Sequence, residues 1–339
     1  MRVLITGASG AIGSNLAKAF IERGDQVISI EHDEHPIDSA SALGVKKDIT
    51  WARGDIVNET FVKRVISDYE IDLVYHLAAL PIVRTGAKSI RPVYEVNLMG
   101  TLSILEALKE QTLSGTDIPL VYIATDKVYG PTEWGRPYKE SDPLLANSPY
   151  ECSKACADMT VRMYNSMGFI KYAVTVRPSN QFGPGDMNSR VIPNTIRRVL
   201  QGKSPILYRG ITYVREFTYF DDTCRAFMAL GDQIRDPRIS GEAFNLGSGE
   251  TADQEGVVNE ILNHFPDIRP EWREPEPYTR KEIPYQALDH SKLTERTSWR
   301  AMVPFEMGIA DTIVWWKKHP ELWRIINTTN VAGSPNKVA

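Results

Sequence analysis

The chain has 339 residues, of which 42% are hydrophobic and 24% are charged. This is the composition of an ordinary globular protein, and it excludes a disordered chain. The 39 basic and 43 acidic residues leave a net charge of −4, which is too balanced to attract nucleic acid or an anionic membrane surface, so neither is expected as a partner.

Cysteine content and hydropathy bear on the compartment. Three cysteines, Cys152, Cys156 and Cys224, cannot all pair, so we expect reduced thiols and a cytoplasmic protein. No apolar run approaches the about 18 residues that a membrane-spanning helix needs, and we expect no targeting leader before Arg2. Cys152 and Cys156 lie four residues apart, but no histidine stands at ligand spacing nearby, so no metal is predicted.

Short apolar runs alternate with helical patterns through the first half of the chain. The pattern predicts strands over residues 3–6, 27–30, 73–77 and 120–124, and helices over residues 12–23, 94–110 and 149–167. Strands that are apolar on both faces belong in a parallel sheet that helices cover on both sides. With right-handed crossovers, this predicts an α/β fold with a doubly wound parallel sheet, which binds ligands at its carboxyl edge.

The pattern loosens from about residue 177, where proline and glycine residues cluster. We predict a smaller, mixed α/β lobe formed by residues 177–215 and 249–320. The larger domain comprises residues 1–176 with returning segments near 216–248, and residues 321–339 are expected to form a frayed tail.

A glycine-rich loop follows the first predicted strand and opens the first helix. Gly7, Gly10 and Gly13 allow backbone amides to approach a pyrophosphate at the helix N-terminus. Glu31 ends the second strand, 18 residues after Gly13, where a carboxylate accepts the ribose hydroxyls of an adenosine and repels a 2′-phosphate. We therefore predict NAD rather than NADP as the cofactor, the alternative being a glycine-rich turn that holds no ligand.

The spacing Gly-x-x-Gly-x-x-Gly resembles that of the short-chain dehydrogenase/reductase superfamily, and the length of the chain resembles its extended branch. The segments at residues 54–56, 76–79 and 97–101 are similar to that branch as well. Within it, the chain resembles the NAD-dependent nucleotide-sugar epimerase/dehydratase family, which implies a Rossmann domain that binds NAD. The resemblance assigns further cofactor contacts to Ala11, Ile12, Asp55, Ile56, Leu77, Ala78, Ala79 and Asn97.

Tyr150 and Lys154 lie four residues apart on one face of a predicted helix. The pair matches the superfamily's Tyr-x-x-x-Lys, and the resemblance implies that both residues act in catalysis and contact the cofactor. A tyrosine with an ordinary pKa near 10 needs a reduction of about 3 units, or roughly 4 kcal/mol, to become a base at neutral pH. We expect Lys154 and a cationic nicotinamide to supply this reduction, and Thr125 to donate a hydrogen bond to the reacting oxygen.

Asp126 and Lys127 follow Thr125 at the end of a predicted strand. An acid beside a potential base suits the elimination of water from a sugar, whereas 4-epimerases of the family usually carry small residues here. The Asp-Lys pair resembles CDP-glucose 4,6-dehydratases, while the dTDP-glucose members carry Glu at the second position. We therefore predict a lyase, an NAD-dependent nucleotide-sugar 4,6-dehydratase with CDP-glucose favoured, in which Lys127 is either a base or a charge stabiliser.

Two other functions stay open at this point. The first is a nucleotide-sugar 4-epimerase, an isomerase that uses Thr125, Tyr150 and Lys154, with Asp126 and Lys127 as an exposed ion pair without a role. The second is a non-catalytic, NAD-sensing binding protein, since a fold alone does not determine function.

The resemblance implies a nucleoside diphosphate hexose as substrate. Arg215 is expected to bind the diphosphate, because its planar guanidinium engages phosphate oxygens bidentately, and the alternative is that it pairs with Glu216 or Asp221. The resemblance also implies a homodimer through the helices over residues 94–110 and 149–167. Further substrate contacts are assigned to Arg84, Asn180 and Arg190.

Overall fold

The computed structural model describes residues 1–34, 37–80, 90–132, 134–275 and 283–325. Within these ranges the strands are β1 (Arg2–Thr6), β2 (Gln26–Glu31), β3 (Ile49–Arg53), β4 (Leu73–His76), β5 (Leu120–Ile123), β6 (Ala173–Pro178), β7 (Asn180–Phe182), β8 (Ile206–Tyr208), β9 (Val214–Tyr219), β10 (Ala243–Leu246), β11 (Thr251–Ala252), β12 (Glu271–Arg273) and β13 (Tyr285–Gln286). The helices are α1 (Ala11–Arg23), α2 (Ser39–Ala42), α3 (Glu59–Asp68), α4 (Ile90–Tyr94), α5 (Gly100–Leu113), α6 (Pro149–Ser166), α7 (Val191–Leu200), α8 (Phe220–Gln233), α9 (Gln254–Leu262), α10 (Ser291–Thr297), α11 (Phe305–Lys318) and α12 (Pro320–Ile325).

Seven strands form one parallel sheet in the order β10-β6-β5-β4-β1-β2-β3. In β1, Val3 and Ile5 pack into the hydrophobic core on one face of the sheet, whereas Leu4 packs into the core on the other face. Helices therefore cover both faces, because each face carries buried apolar side chains. This architecture confirms the predicted α/β fold with a doubly wound parallel sheet.

The helix predicted over residues 94–110 is interrupted in the structure. A π-helical turn at Glu95–Met99 separates α4 from α5. The hydroxyl of Thr101 donates to the carbonyl oxygen of Asn97 at 2.7 Å, and side-chain bonds of this kind compete with the regular helical ladder. Turns of this type occur often at functional sites, and here the turn lies beside the loop that follows β4.

The helix α6 begins where the sequence places it. The hydroxyl of Ser148 caps its N-terminus by accepting from the amide of Glu151, and Pro149 occupies the first turn, where a missing N–H costs nothing. These two residues fix the start of the helix, so Tyr150 lies in its first turn, at the edge of the larger sheet.

A smaller sheet is built around β9, which pairs with β7, β11 and β13. β8 and β12 form a separate parallel pair. After β9 the chain returns through α8 to β10, which pairs with β6 of the larger sheet. The predicted return near residue 216 thus falls inside β9, and the domain boundaries stay a prediction.

The described residues also bear on membrane association and thiol chemistry. No helix among them is long and apolar enough to cross a membrane. No disulfide joins the three cysteines, and Cys224 is buried in the hydrophobic core on one face of the larger sheet.

Candidate active site

The strand order changes direction between β1 and β4, so the loops after these strands border a crevice at the carboxyl edge of the sheet. Gly7 lies in the first loop with a φ of +78°, and a Cβ on it would lie 3.0 Å from the amide nitrogen of Ala78 in the second loop. The amide of Gly10 donates to the carbonyl oxygen of Gly7 at 3.0 Å, and a Cβ on Gly13 would lie 2.3 Å from that oxygen. Only glycine allows the backbone of this loop to lie so close to the second loop and to the first turn of α1. The backbone amides at the N-terminus of α1 are therefore open to a phosphate group.

Glu31 supplies a buried acceptor at the same edge. It ends β2, and its Oε1 has no hydrogen-bond partner among the described residues. Lys46 Nζ lies 3.8 Å from that oxygen and 2.8 Å from the carboxylate of Asp38. A buried acceptor left without a donor costs about 1–3 kcal/mol, and a ribose hydroxyl would satisfy it. The crevice therefore fits NAD, with the glycine loop for the pyrophosphate and Glu31 for the adenosine ribose.

The other predicted cofactor residues lie at this edge, in the first turn of α1 and in the loops after β3 and β4. Asp55 accepts from the amide of Val57 at 2.9 Å, and Ile56 is buried against Gly100 at the start of α5. The residues in question are Ala11, Ile12, Asp55, Ile56, Leu77, Ala78 and Ala79.

Asn97 makes contacts within the protein that differ from the predicted cofactor contact. Its Oδ1 accepts from the amide of Leu80 at 2.7 Å, and its Nδ2 donates to the hydroxyl of Ser153 at 2.9 Å. Both side-chain groups of the amide are engaged, so Asn97 ties the π turn to the loop after β4 and to α6.

His76, at the end of β4, organises this edge and was not singled out from the sequence. Its Nδ1 lies 2.7 Å from the hydroxyl of Thr6, and its Nε2 lies 3.0 Å from the hydroxyl of Thr101. Because the Thr101 hydroxyl donates to Asn97, its oxygen accepts from Nε2–H, and Nδ1 accepts from Thr6. The Thr6 oxygen accepts from the two amides that follow β4. Burial and the charge of Lys154 lower the pKa of His76 to about 3, so the ring stays neutral.

Thr125, Asp126 and Lys127 follow β5 at the same edge. The hydroxyl of Thr125 donates to Asp126 Oδ1 at 3.1 Å and accepts from the amide of Lys127 at 3.3 Å. Asp126 is only 3% exposed, and its Oδ2 has no hydrogen-bond partner within the described chain. Burial raises the pKa of Asp126 above its ordinary value, although the charges of Lys127 and Arg215 oppose the change. The site thus holds a buried carboxyl group whose pKa is shifted towards protonation.

Tyr150 and Lys154 lie one helical turn apart at the start of α6. Lys154 Nζ donates to the carbonyl oxygen of Ile123 at 2.5 Å and lies 4.7 Å from the centre of the Tyr122 ring. Burial lowers the pKa of Lys154 to about 7, and burial raises the pKa of Tyr150 to about 12. In the chain by itself burial outweighs the neighbouring charges, so the reduction of the Tyr150 pKa by Lys154 and a bound nicotinamide stays a prediction.

Arg215 lies in β9, close enough for its charge to act on the carboxyl group of Asp126. Its Nη1 donates to the carbonyl oxygens of Val214 and Ile283 at 2.8 Å and 2.7 Å. Its positive charge acts to lower the pKa of Asp126. The smaller sheet therefore brings a guanidinium group towards the residues that follow β5.

The remaining predicted substrate residues are placed differently. Arg190 is exposed at the start of α7, and its charge acts to lower the pKa of Tyr150. Asn180 Nδ2 donates to the carbonyl oxygen of Glu216 at 3.1 Å, inside the smaller sheet. Arg84 lies outside the described residues.

Two buried charged residues, Arg177 and Asp158, were not singled out from the sequence, and a third, Glu216, was considered there only as a partner of Arg215. Arg177 of β6 donates from Nε to Asp158 of α6 at 2.8 Å. The carboxylate of Glu216 accepts from two backbone amides of neighbouring loops, and burial raises its pKa to about 7. Signals existed, because Arg177 interrupts an apolar strand and Asp158 stands four residues after Lys154.

Comparison with known proteins covers most of the chain. Residues 3–247 match the NAD dependent epimerase/dehydratase family. A dTDP-glucose 4,6-dehydratase of Streptomyces antibioticus is 30% identical over 333 residues, which cover 95% of this chain and 94% of that protein. The crystal structure of dTDP-glucose 4,6-dehydratase from Bacillus anthracis in complex with NAD superposes with a TM-score of 0.82 at 25% identity, covering 96% of this chain and 99% of the other. The UDP-glucose 4-epimerase of Thermus thermophilus in complex with NAD gives a TM-score of 0.81 at 26% identity, covering 94% and 99%.

Proposed function

The chain belongs to the NAD dependent epimerase/dehydratase family, and from this premise we propose that it is a nucleotide-sugar 4,6-dehydratase. Such an enzyme converts a nucleoside diphosphate hexose into its 4-keto-6-deoxy form with the net loss of one water. NAD, held by the glycine loop and Glu31, would supply the hydride acceptor for oxidation at C4 and the hydride donor for reduction at C6. Because the cofactor ends as it began, the reaction needs no added reductant.

Tyr150 is the proposed acceptor of the C4 hydroxyl proton. The hydroxyl of Thr125 lies close enough to lower its pKa, and Lys154 lies one turn away on the same helix. A phenol whose pKa burial holds at about 12 needs a nearby positive charge to act as a base, and protonated Lys154 supplies one. In this proposal the Thr125 hydroxyl turns from Asp126 to donate its hydrogen bond to the sugar oxygen, while Tyr150 takes the proton of that oxygen.

The buried carboxyl group of Asp126 is the observation that carries the assignment as a dehydratase. A hydroxyl group leaves carbon as water once it has received a proton, and an acid gives that proton best when it is protonated at the working pH. Asp126 is buried, its pKa is raised, and its Oδ2 has no partner in the described part of the chain. We assign Oδ2 as the proton donor to the C6 hydroxyl. Lys127 stands next to it and has two possible roles. As a neutral base it takes the C5 proton and returns it to C5 when C6 is reduced; as a cation it stabilises the negative charge at C5 while a water takes and returns that proton.

The smaller lobe is the proposed site of the nucleotide. Arg215 would bind the diphosphate there, since a guanidinium fork matches phosphate oxygens and its charge already acts on Asp126. We retain CDP-glucose as the proposed substrate because of the Asp126-Lys127 pair, and dTDP-glucose, named for the relatives above, is the competing substrate. Further proposed contacts are Arg84, Asn180 and Arg190.

We further propose a cytoplasmic homodimer. Met159 and Met163 lie one turn apart on α6 and are 52% and 43% exposed, and Met99 of the π turn is 45% exposed. Exposed apolar side chains gathered on neighbouring helices mark an interaction surface, and a second copy of this chain would bury them. The mass of a single chain in light scattering at micromolar concentration would overturn the dimer. The cytoplasm suits three cysteines that form no disulfide.

A nucleotide-sugar 4-epimerase is the second candidate, because Thr125, Tyr150 and Lys154 suffice for oxidation at C4. The test is mass spectrometry of products after the protein and NAD are incubated separately with CDP-, dTDP-, UDP- and GDP-glucose. We expect a product lighter by one water from one of them. A separable isomer of unchanged mass would favour the epimerase, and NAD binding without any product would favour an NAD-sensing protein. Asp126→Asn is the matched control, which should abolish the loss of water.

A further inference from the structure

A buried ion pair lies behind Lys154. Asp158 stands four residues later on α6, so the two side chains share the helix face that covers the sheet. Asp158 Oδ2 accepts from Arg177 of β6 at 2.8 Å, and both side chains are almost fully buried. Its Oδ1 is buried and has no hydrogen-bond partner among the residues described. Lys154, only 3% exposed, donates to the carbonyl oxygen of Ile123.

The groups packed around the Lys154 ammonium differ in charge. Three titratable groups face it and are neutral at pH 7: His76 from β4, Tyr122 from β5 and Tyr150 from α6 itself. Burial lowers the pKa of the histidine to about 3 and raises the pKa of both phenols. Among the described neighbours the carboxylate of Asp158 is the negative group whose charge acts on Lys154, and Arg177 lies behind it as a cation.

We propose that Asp158 is a positioning residue, whose carboxylate, neutralised only in part by Arg177, keeps the buried Lys154 protonated and so able to act beside Tyr150. The inference rests on the proposed function, which requires a charged Lys154. Burial disfavours that charge and lowers the pKa of Lys154 to about 7, even though the charge of Asp158 opposes the fall. Without the carboxylate, Lys154 would lose its proton below neutral pH.

The test follows the titration of Lys154 directly, by NMR of the full chain labelled with carbon-13 at lysine Cε, in the presence and absence of NAD. The signal is identified by its loss in Lys154→Met. Asp158→Asn should lower the titration midpoint by about 1–3 units, whereas Asp158→Glu, the matched control, should keep it near the parent value. An unchanged midpoint in Asp158→Asn would overturn the proposal.

Arg177→Gln is a second variant, and it should shift the titration midpoint of Lys154 in the opposite direction. It removes the cation that competes for Asp158, so the midpoint of Lys154 should rise. If Asp158→Asn does not fold, this variant still decides, because a midpoint that is unchanged or lower contradicts the proposal. A purely structural ion pair would lower the stability of both variants and move neither midpoint.

Turnover separates this inference from the proposed function. The loss of dehydratase activity at high pH should move to lower pH in Asp158→Asn, in step with the titration midpoint. If the parent protein turns over no nucleotide sugar, the proposed function fails, whereas the titration still decides the role of Asp158.

Discussion

Replacement of Gly13 by alanine should destabilise the protein, although alanine normally stabilises a helix. In a helix interior alanine is favoured over glycine by about 1 kcal/mol. At Gly13, in α1, the added Cβ would lie 2.3 Å from the carbonyl oxygen of Gly7 and 2.8 Å from its carbonyl carbon. The Cβ and the oxygen would have to separate by at least 0.7 Å to reach the 3.0 Å below which such contacts essentially never occur. Forced overpacking of this kind costs about 1–3 kcal/mol, which leaves a net destabilisation of up to about 2 kcal/mol.

Thermal unfolding of the ligand-free protein and titration with NAD measure the effect. The melting temperature should fall, and NAD affinity should fall by about tenfold, since a distortion of about 1.4 kcal/mol has that effect. Gly256→Ala is the control, because that glycine lies in α9 and its new Cβ would meet no backbone atom, approaching a side-chain oxygen of Asp253 at 3.3 Å and the Cβ of Ala252 at 3.5 Å. It should be as stable as the parent or more so. A Gly13→Ala variant with unchanged stability and NAD affinity would refute the close approach of the Gly7 carbonyl group to Gly13.

Three further substitutions test the site. Tyr150→Phe should abolish turnover and leave the NAD affinity measured by titration near that of the parent, and retained turnover would remove Tyr150 from the mechanism. Asp126→Asn should release no water, and turnover of the parent should fall as pH rises through the raised pKa of Asp126, because the protonated acid is the active form; a dehydrated product from the variant would contradict this. His76→Gln should weaken the pH dependence of stability, because the folded state binds fewer protons than the unfolded state between the pKa of about 3 and the ordinary 6.5. Stability should therefore fall as pH drops through this window, by up to about 1.4 kcal/mol per unit, and equal slopes for parent and variant in denaturant unfolding would exclude this role.

The features that could be predicted from the sequence are those whose residues lie close together along the chain. The glycine loop, Glu31 and the alternation of strands and helices each lie within a short stretch of chain, and the predicted sheet, family and NAD cofactor are confirmed. The predicted enzyme class, dehydratase or epimerase, is confirmed at the level of the family. The nucleotide base of the substrate could not be predicted in this way, since no short motif contains the residues that would contact the base.

Features that depend on contacts distant in sequence could not be predicted. The hydrogen bonds of His76 join Thr6 and Thr101, which lie 70 and 25 residues away along the chain. The pKa of Tyr150 follows from burial, and burial depends on the whole fold around α6. The motif Tyr-x-x-x-Lys identifies a base and a cation, but it contains no information about how much water surrounds them.

The most direct test of the proposed dehydratase uses CDP-glucose and dTDP-glucose that carry deuterium at C4. Each is incubated with the protein and NAD, and the product is analysed by mass spectrometry and NMR. The account predicts a product that is lighter than the labelled substrate by one water and that keeps the deuterium in a new methyl group at C6. A product of unchanged mass, or a dehydrated product that has lost the deuterium to solvent, would contradict it.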